Sequence, residues 1–217
     1  MNKLVILALL LSLAVGFTIP ETIPVRMTGL ADCRATPSGI TYPVRQIDFK
    51  EYVKGVLPNE WYPTWEEESL RAGAIAVKMF AWSMVERVGY VWDCNWSQVY
   101  NPDKRTDATD KAVDDTWIYI LVRDDKIFTT YYDDYQWTCY TRGAYDNCMG
   151  QWDSQHDAEA GMTYKEILYK YYTDSSLLST VIKKQSLNTK TKVRLNYDNP
   201  EIMKDYLYMR FLMEEHK

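Results

Sequence analysis

Apolar and polar positions follow two regimes along the chain. After Met1-Asn2-Lys3, residues 4–15 form an apolar run broken only by Ser12. From there on, apolar residues are spaced as amphipathic elements require. Residues 18–39 carry Pro20, Pro24 and Pro37 and predict an irregular lead-in with a short strand around residues 25–27. Residues 40–47 (ITYPVRQI) alternate weakly and predict a strand that Pro43 confines to a sheet edge. Asp48, with Glu51 three positions later, opens a helix in the manner of a capping box. Tyr52, Val53, Val56 and Leu57 give it an apolar face, and Pro58 predicts its end. A second helix is predicted with Thr64 as N-cap and Glu67 reaching back, its first turn carrying Glu66, Glu67 and Glu68 where the helix dipole favours acids. Leu70, Ala74, Val77, Ala81, Met84 and Val85 recur at three- and four-residue spacing, so this is the expected central buried helix. Small residues (Ala72, Gly73, Ala76) permit close backbone approach, and Gly89 is the expected C-terminal stop.

Further on, residues 90–100 read as a ring-rich loop, Asn101-Pro102-Asp103 as a turn and residues 106–114 as a short polar helix. Two β-rich runs, 116–122 and 126–132, flank Arg123-Asp124-Asp125 and predict a hairpin. Residues 133–153 read as an aromatic loop, and Thr163 with Glu166 opens another short helix that ends before Asp174. A basic, polar stretch with Lys183, Lys184, Lys190, Lys192 and Arg194 precedes a last helix containing Met203, Tyr206, Leu207 and Phe211. The predicted fold class is α+β: a central buried helix with short helices packed on a small antiparallel sheet or hairpin, rich in loops. The expected organisation is a leader over residues 1–16, a lead-in over 17–46, one main domain over 47–174 and an extension over 175–217.

Composition sharpens this picture in three ways. With 217 residues and 47% hydrophobic positions, the chain is long enough for one good core, and a formal charge of −5 argues against nucleic-acid binding. Residues 1–16 have the charged start, short apolar stretch and small residues of an export signal, too short for a membrane span. The mature chain is therefore expected outside the cytoplasm, with no membrane span. Export turns Cys33, Cys94, Cys139 and Cys148 into disulfide candidates with three possible connectivities. The favoured pairing is Cys139 with Cys148, which closes a short loop, and Cys33 with Cys94. A zinc site on Cys139, Cys148 and His156 would need a fourth ligand, and no C-x-x-C or H-x-x-x-H spacing supports one, so no metal or other cofactor is expected.

Between the two first helices stands a single carboxylate, Glu60, flanked by Trp61, Tyr62 and Trp65. The run DFKEYVKGVLPNEWYPTWEEESLRAGAIAVKMFAW resembles the signature of the SpoIID/LytB family of bacterial cell-wall proteins. CNWSQVY (residues 94–100) resembles that family's short block ending in Q-V-Y. Gln151-Trp152 and GMTYKEIL (residues 161–168) resemble its later Q-W and Y-x-E-I-L blocks. The resemblance spans residues 47–172. It implies a peptidoglycan lytic transglycosylase acting on the bond between N-acetylmuramic acid and N-acetylglucosamine, with Glu60 as catalytic acid and base. Such an acid needs a raised pKa, which apolar burial beside Trp61, Tyr62 and Trp65 would supply. Lys78, Gln98, Tyr100, Tyr132 and Gln151 are the further substrate-binding candidates. A lone glutamate suits a reaction in which the muramic C6 hydroxyl is the nucleophile, whereas hydrolysis ordinarily uses two carboxylates.

The chain departs from the family pattern elsewhere. YYDDYQWTCYTRG stands where a serine- and glycine-rich block is usual. YDNCMGQ stands where a glycine- and histidine-containing block is usual, putting Tyr145, Asp146 and Cys148 at its positions. Lys78 and Gly73 occupy positions of an arginine and a glutamine. The alternative expectation is thus a non-catalytic peptidoglycan-binding module or an activator of a cell-wall amidase.

Overall fold

The computed structural model describes residues 17–36, 39–141, 143 and 146–180. The expected export signal, Tyr145, the lysine-rich run and the expected last helix lie outside the described residues. In chain order the elements are β1 (Thr22–Arg26), β2 (Val44–Asp48), α1 (Phe49–Glu60), α2 (Glu67–Val88), β3 (Val91–Trp92) and α3 (Asp107–Thr116). They continue with β4 (Tyr119–Arg123), β5 (Lys126–Ile127), β6 (Tyr131–Asp133), α4 (Gln136–Thr141), β7 (Cys148–Gly150), α5 (Gln151–Glu159), α6 (Tyr164–Tyr171) and β8 (Ser176–Ser179).

The architecture is α+β, organised on α2. Its residues from Ala72 to Ser83 are all buried, and α1, α3, α5 and α6 pack around it. Gly89 ends it in the left-handed conformation (φ 86°) that glycine adopts without Cβ strain. The strands form three small sheets, ordered β2-β1-β3, β5-β4-β8 and β6-β7. β1–β3 and β6–β7 are parallel pairs and the remainder antiparallel. β2 lies at an edge, as Pro43 predicts. The first residues of the expected extension, Ser176–Ser179, form a strand on β4.

Several local expectations give way to tertiary contacts. α1 does not stop at Pro58 but runs on to Glu60. Pro58 forgoes the bond its own nitrogen would make and crowds the Lys54 carbonyl, but its fixed φ suits a helix and only two residues follow it. Asn59 reinforces the turn by donating from Nδ2 to the Gly55 carbonyl at 2.8 Å. Asp48 does cap α1, accepting from the Glu51 N–H, but the Glu51 carboxylate pairs with Arg105 instead of reaching back. Thr64 is not the N-cap of α2. That position falls to Glu66, whose N–H donates to the Gln155 side-chain oxygen at 2.8 Å, so a distant amide replaces the local hydroxyl. The hairpin turn places Asp124 and Asp125 at φ 49° and 56°, a left-handed pair that aspartate tolerates. Its second strand is cut to two residues, because Tyr131–Asp133 turns away to pair with β7. The expected loop over 133–153 contains α4, β7 and the start of α5.

Both favoured disulfides are present, Cys33–Cys94 and Cys139–Cys148. The second consumes the thiols that a zinc site with His156 would require. Beside the first, the buried Asp93 carboxylate gathers the lead-in by accepting from the Thr28 N–H (2.9 Å), the Thr28 hydroxyl (2.6 Å) and the Gly29 N–H (2.8 Å).

Candidate active site

Glu60 is the last residue of α1, and three separate parts of the chain converge on it. The loop after β3 is tied to α1 by the Asn101 N–H on the Gly55 carbonyl (2.9 Å), which brings Val99 over the helix end. The Val99 N–H then donates to Glu60 Oε1 at 2.8 Å. From the start of α5, the Gln151 side-chain amide donates to the Glu60 backbone carbonyl at 2.8 Å, satisfying an acceptor that the helix end leaves open. The next residue, Trp152, donates its N–H to the Asp134 carbonyl at 3.0 Å. Two consecutive residues thereby fix Glu60 and the Asp133-Asp134 pair against each other.

Glu60 is half-buried by accessible surface. Its carboxyl group, however, is crowded by protein, and this desolvation pushes its pKa up to about 7. The Val99 N–H and the Gln151 amide oppose the rise by favouring the carboxylate, while the charges of Asp134 and Asp133 add to it. The acid is therefore half-protonated near neutrality and is not alone: a lone carboxylate was the sequence expectation, and two aspartates accompany it.

The predicted site residues fall into three groups. Tyr62, Trp65 and Gln151 share the Glu60 end of α1. Trp61 does not line an open surface: it is 1% exposed, edge-on to Tyr132 (4.9 Å between centroids), with its indole N–H on Ser154 Oγ at 3.2 Å. Gly73 makes this possible, since a Cβ there would lie 2.7 Å from the indole ring. The glycine at the family's glutamine position is thus the complement of a buried tryptophan. Gln98 is likewise a buried strut. It accepts from the Tyr52 hydroxyl (3.2 Å) and donates to the Val77 carbonyl (3.2 Å) and the Tyr132 phenol oxygen (2.8 Å). Tyr100 stacks on Tyr52 (5.3 Å, 16°) and lies over Gly55, where a Cβ would meet its ring at 2.4 Å. Gln98 and Tyr100 flank Val99, whose N–H reaches Glu60, and Tyr132 is bonded to Gln98.

Lys78 is not part of the site. It is 1% exposed, and Nζ donates to the carbonyls of Thr116 (3.1 Å), Trp117 (2.8 Å) and Tyr119 (2.6 Å). Burial pulls its pKa down to about 7. Even so, three carbonyl acceptors match the three N–H groups of the ammonium form. Its role is to close the C-terminal end of α3 where the chain enters β4. Lys78→Met should leave those carbonyls without a donor and lower unfolding free energy by roughly 3 kcal/mol, measured by urea denaturation.

The face beside Glu60 also carries Trp152, Tyr135 and Trp137, which the sequence reading did not assign to the site. Tyr62 packs near Trp65 (5.3 Å) and Trp152 (5.7 Å), and Trp65 near Trp152 (4.8 Å). Tyr135 lies nearly parallel to both Trp152 (6.4 Å, 12°) and Trp137 (6.4 Å, 20°). Tyr62 (59% exposed) and Trp137 (62%) stand in solvent at the two ends. The sequence signals were the aromatic character of residues 133–153 and, for Trp152, the Gln151-Trp152 block.

Residues 38–122 match the sequence model of the SpoIID family, described as Stage II sporulation protein. An uncharacterized protein of Brachyspira hyodysenteriae is 34% identical over 95 residues, covering 41% of this chain. The chain matches about a quarter of that relative's length, 26%.

Proposed function

We propose, on the premise that residues 38–122 form a SpoIID-family domain, that this is an extracytoplasmic cell-wall protein cleaving peptidoglycan glycan strands through Glu60. The observation that carries this reading is the Glu60 carboxyl at the end of α1, bonded by the Val99 N–H at 2.8 Å and crowded by protein so that its pKa is raised. Protonated Glu60 donates to the glycosidic oxygen as the bond to the anomeric carbon breaks. The muramic C6 hydroxyl attacks that carbon, and the Glu60 carboxylate takes its proton, leaving a 1,6-anhydro end. The Val99 N–H stabilises the intervening carboxylate, and the negative charge of Asp134 and Asp133 favours the oxocarbenium-like transition state. Two disulfides suit an oxidising compartment, and no helix among the described residues is long and apolar enough to cross a membrane.

The test is digestion of peptide-free glycan strands followed by mass spectrometry of the ends. Anhydromuramic ends that vanish in Glu60→Gln support the mechanism. Reducing ends would instead assign hydrolysis with Asp134 or Asp133 as base, and release undiminished in Glu60→Gln would remove Glu60 from the chemistry. A second reading, a wall-binding module or amidase activator, is favoured by the ring-lined face, which serves adhesion without catalysis. Sedimentation with sacculi and no released fragments would select it.

A further inference from the structure

We infer that the ridge of Tyr62, Trp65, Trp152, Tyr135 and Trp137 is a stacking platform for the N-acetylglucosamine rings of a glycan strand, which deepens the reading above by naming its binding subsite. The rings are contiguous, each within 6.4 Å of the next, and the ridge runs from Tyr62, two residues past Glu60, to Trp137. Large aromatic side chains normally bury their area in a core. Here the outer ones are exposed, and the segment that carries Tyr135 and Trp137 is firmly held.

The holding contacts are specific. Asp153 accepts from the Gln136 N–H at 2.6 Å, and the Gln136 side chain donates to the Cys148 carbonyl (3.2 Å) and accepts from the Gly150 N–H (2.9 Å). The Cys139–Cys148 disulfide closes the same segment. Gly150 has no space for a side chain, since a Cβ would lie 2.4 Å from the Gln136 nitrogen. A surface fixed this firmly has already lost the conformational freedom that a ligand would otherwise have to remove.

Charge selects the ligand. Asp134 takes the Trp152 N–H on its carbonyl, Asp153 follows Trp152 in the chain and takes the Gln136 N–H, and among the described residues no lysine or arginine stacks over any of the five rings. Carboxylates accept from hydroxyl and amide donors and repel anions. That combination fits an uncharged N-acetyl sugar, whose apolar ring face stacks on an aromatic while its hydroxyls meet the acids. It disfavours nucleotides, polyphosphate wall polymers and the lactyl carboxylate of muramic acid.

Binding of an N-acetylglucosamine hexamer, followed by calorimetry and tryptophan fluorescence, tests the platform. The Tyr135→Ala/Trp137→Ala double variant is expected to weaken binding on the order of tenfold or more. Cys139→Ser/Cys148→Ser should weaken it as well. Tyr169→Ala, removing an exposed ring on α6, should bind as the unaltered chain does. Unchanged affinity in the double variant, no hexamer binding by the unaltered chain, or tighter binding of teichoic acid than of hexamer would each overturn the assignment. Platform-dependent binding with no Glu60-dependent cleavage would leave the platform standing and remove the catalytic reading. Glu60-dependent cleavage with the same KM in the double variant would do the reverse.

Discussion

Glu60→Gln is expected to lose strand cleavage by a factor of about 10²–10⁴ while becoming more stable than the unaltered protein at pH 8. The first effect is the ordinary worth of a positioned acid. The second follows from burial. The folded pKa is raised from 4.5 to about 7, so between those values the folded protein keeps a proton that the unfolded chain has released. Stability contributed by this group is complete below pH 4.5 and is lost as the pH rises through 7. At roughly 1.4 kcal/mol per pH unit the full loss approaches about 3 kcal/mol, and partial solvent access reduces it to roughly 2 kcal/mol. Glutamine retains an oxygen for the Val99 N–H and carries no charge, so it escapes the loss. Urea denaturation at pH 4 and pH 8 measures the difference directly. Equal pH dependence in both proteins would show that the Glu60 carboxyl is solvated. Activity of the unaltered protein should fall as the pH passes about 7 from below, because the donating form disappears.

Gly73→Ala should destabilise the protein by about 2 kcal/mol, although alanine is the better helix former. The helix gains about 1 kcal/mol from the exchange. Against it stands an added methyl 2.7 Å from the Trp61 ring, and overpacking a fixed core side chain costs roughly 3 kcal/mol or more. Trp61 cannot retreat easily, since Tyr132 and Ser154 hold its two edges. Activity should fall further than stability does, because Glu60 is the preceding residue and shifts with the indole. Combining Gly73→Ala with Trp61→Leu should recover most of the stability lost, a coupling that a double-mutant cycle isolates. A stabilising Gly73→Ala would show that the indole has room to move.

α2 was legible because its periodicity, its small residues and Gly89 all state the same structure. The Thr163 cap was legible for the same reason: Thr163 accepts from the Glu166 N–H and Glu166 answers it, within four residues. Thr64 carried an equally good local signal and lost, because Gln155 supplies α2 from 89 residues away. The stretch from Asp133 to Gly150 was illegible for a related reason. Its ladder partner, its disulfide and the Asp153 contact bring order to a sequence that has no period of its own. At the site, Glu60 stood out through its block, whereas the two aspartates were visible as letters without a location. Lys78 occupies a position that the resemblance makes functional, and only its three carbonyl partners reveal a structural post.

The bond from Gln151 to the Glu60 carbonyl has a consequence for where the working unit ends. The stretch that carries the family match stops at residue 122, before Tyr132, Asp134 and Gln151. A fragment cut there would keep the glutamate and the Val99 N–H and lose Gln151 and the two aspartates. With less protein around it, its carboxyl would move back toward the pKa of an ordinary glutamate. The smallest piece able to hold a proton at neutral pH must therefore reach at least α5.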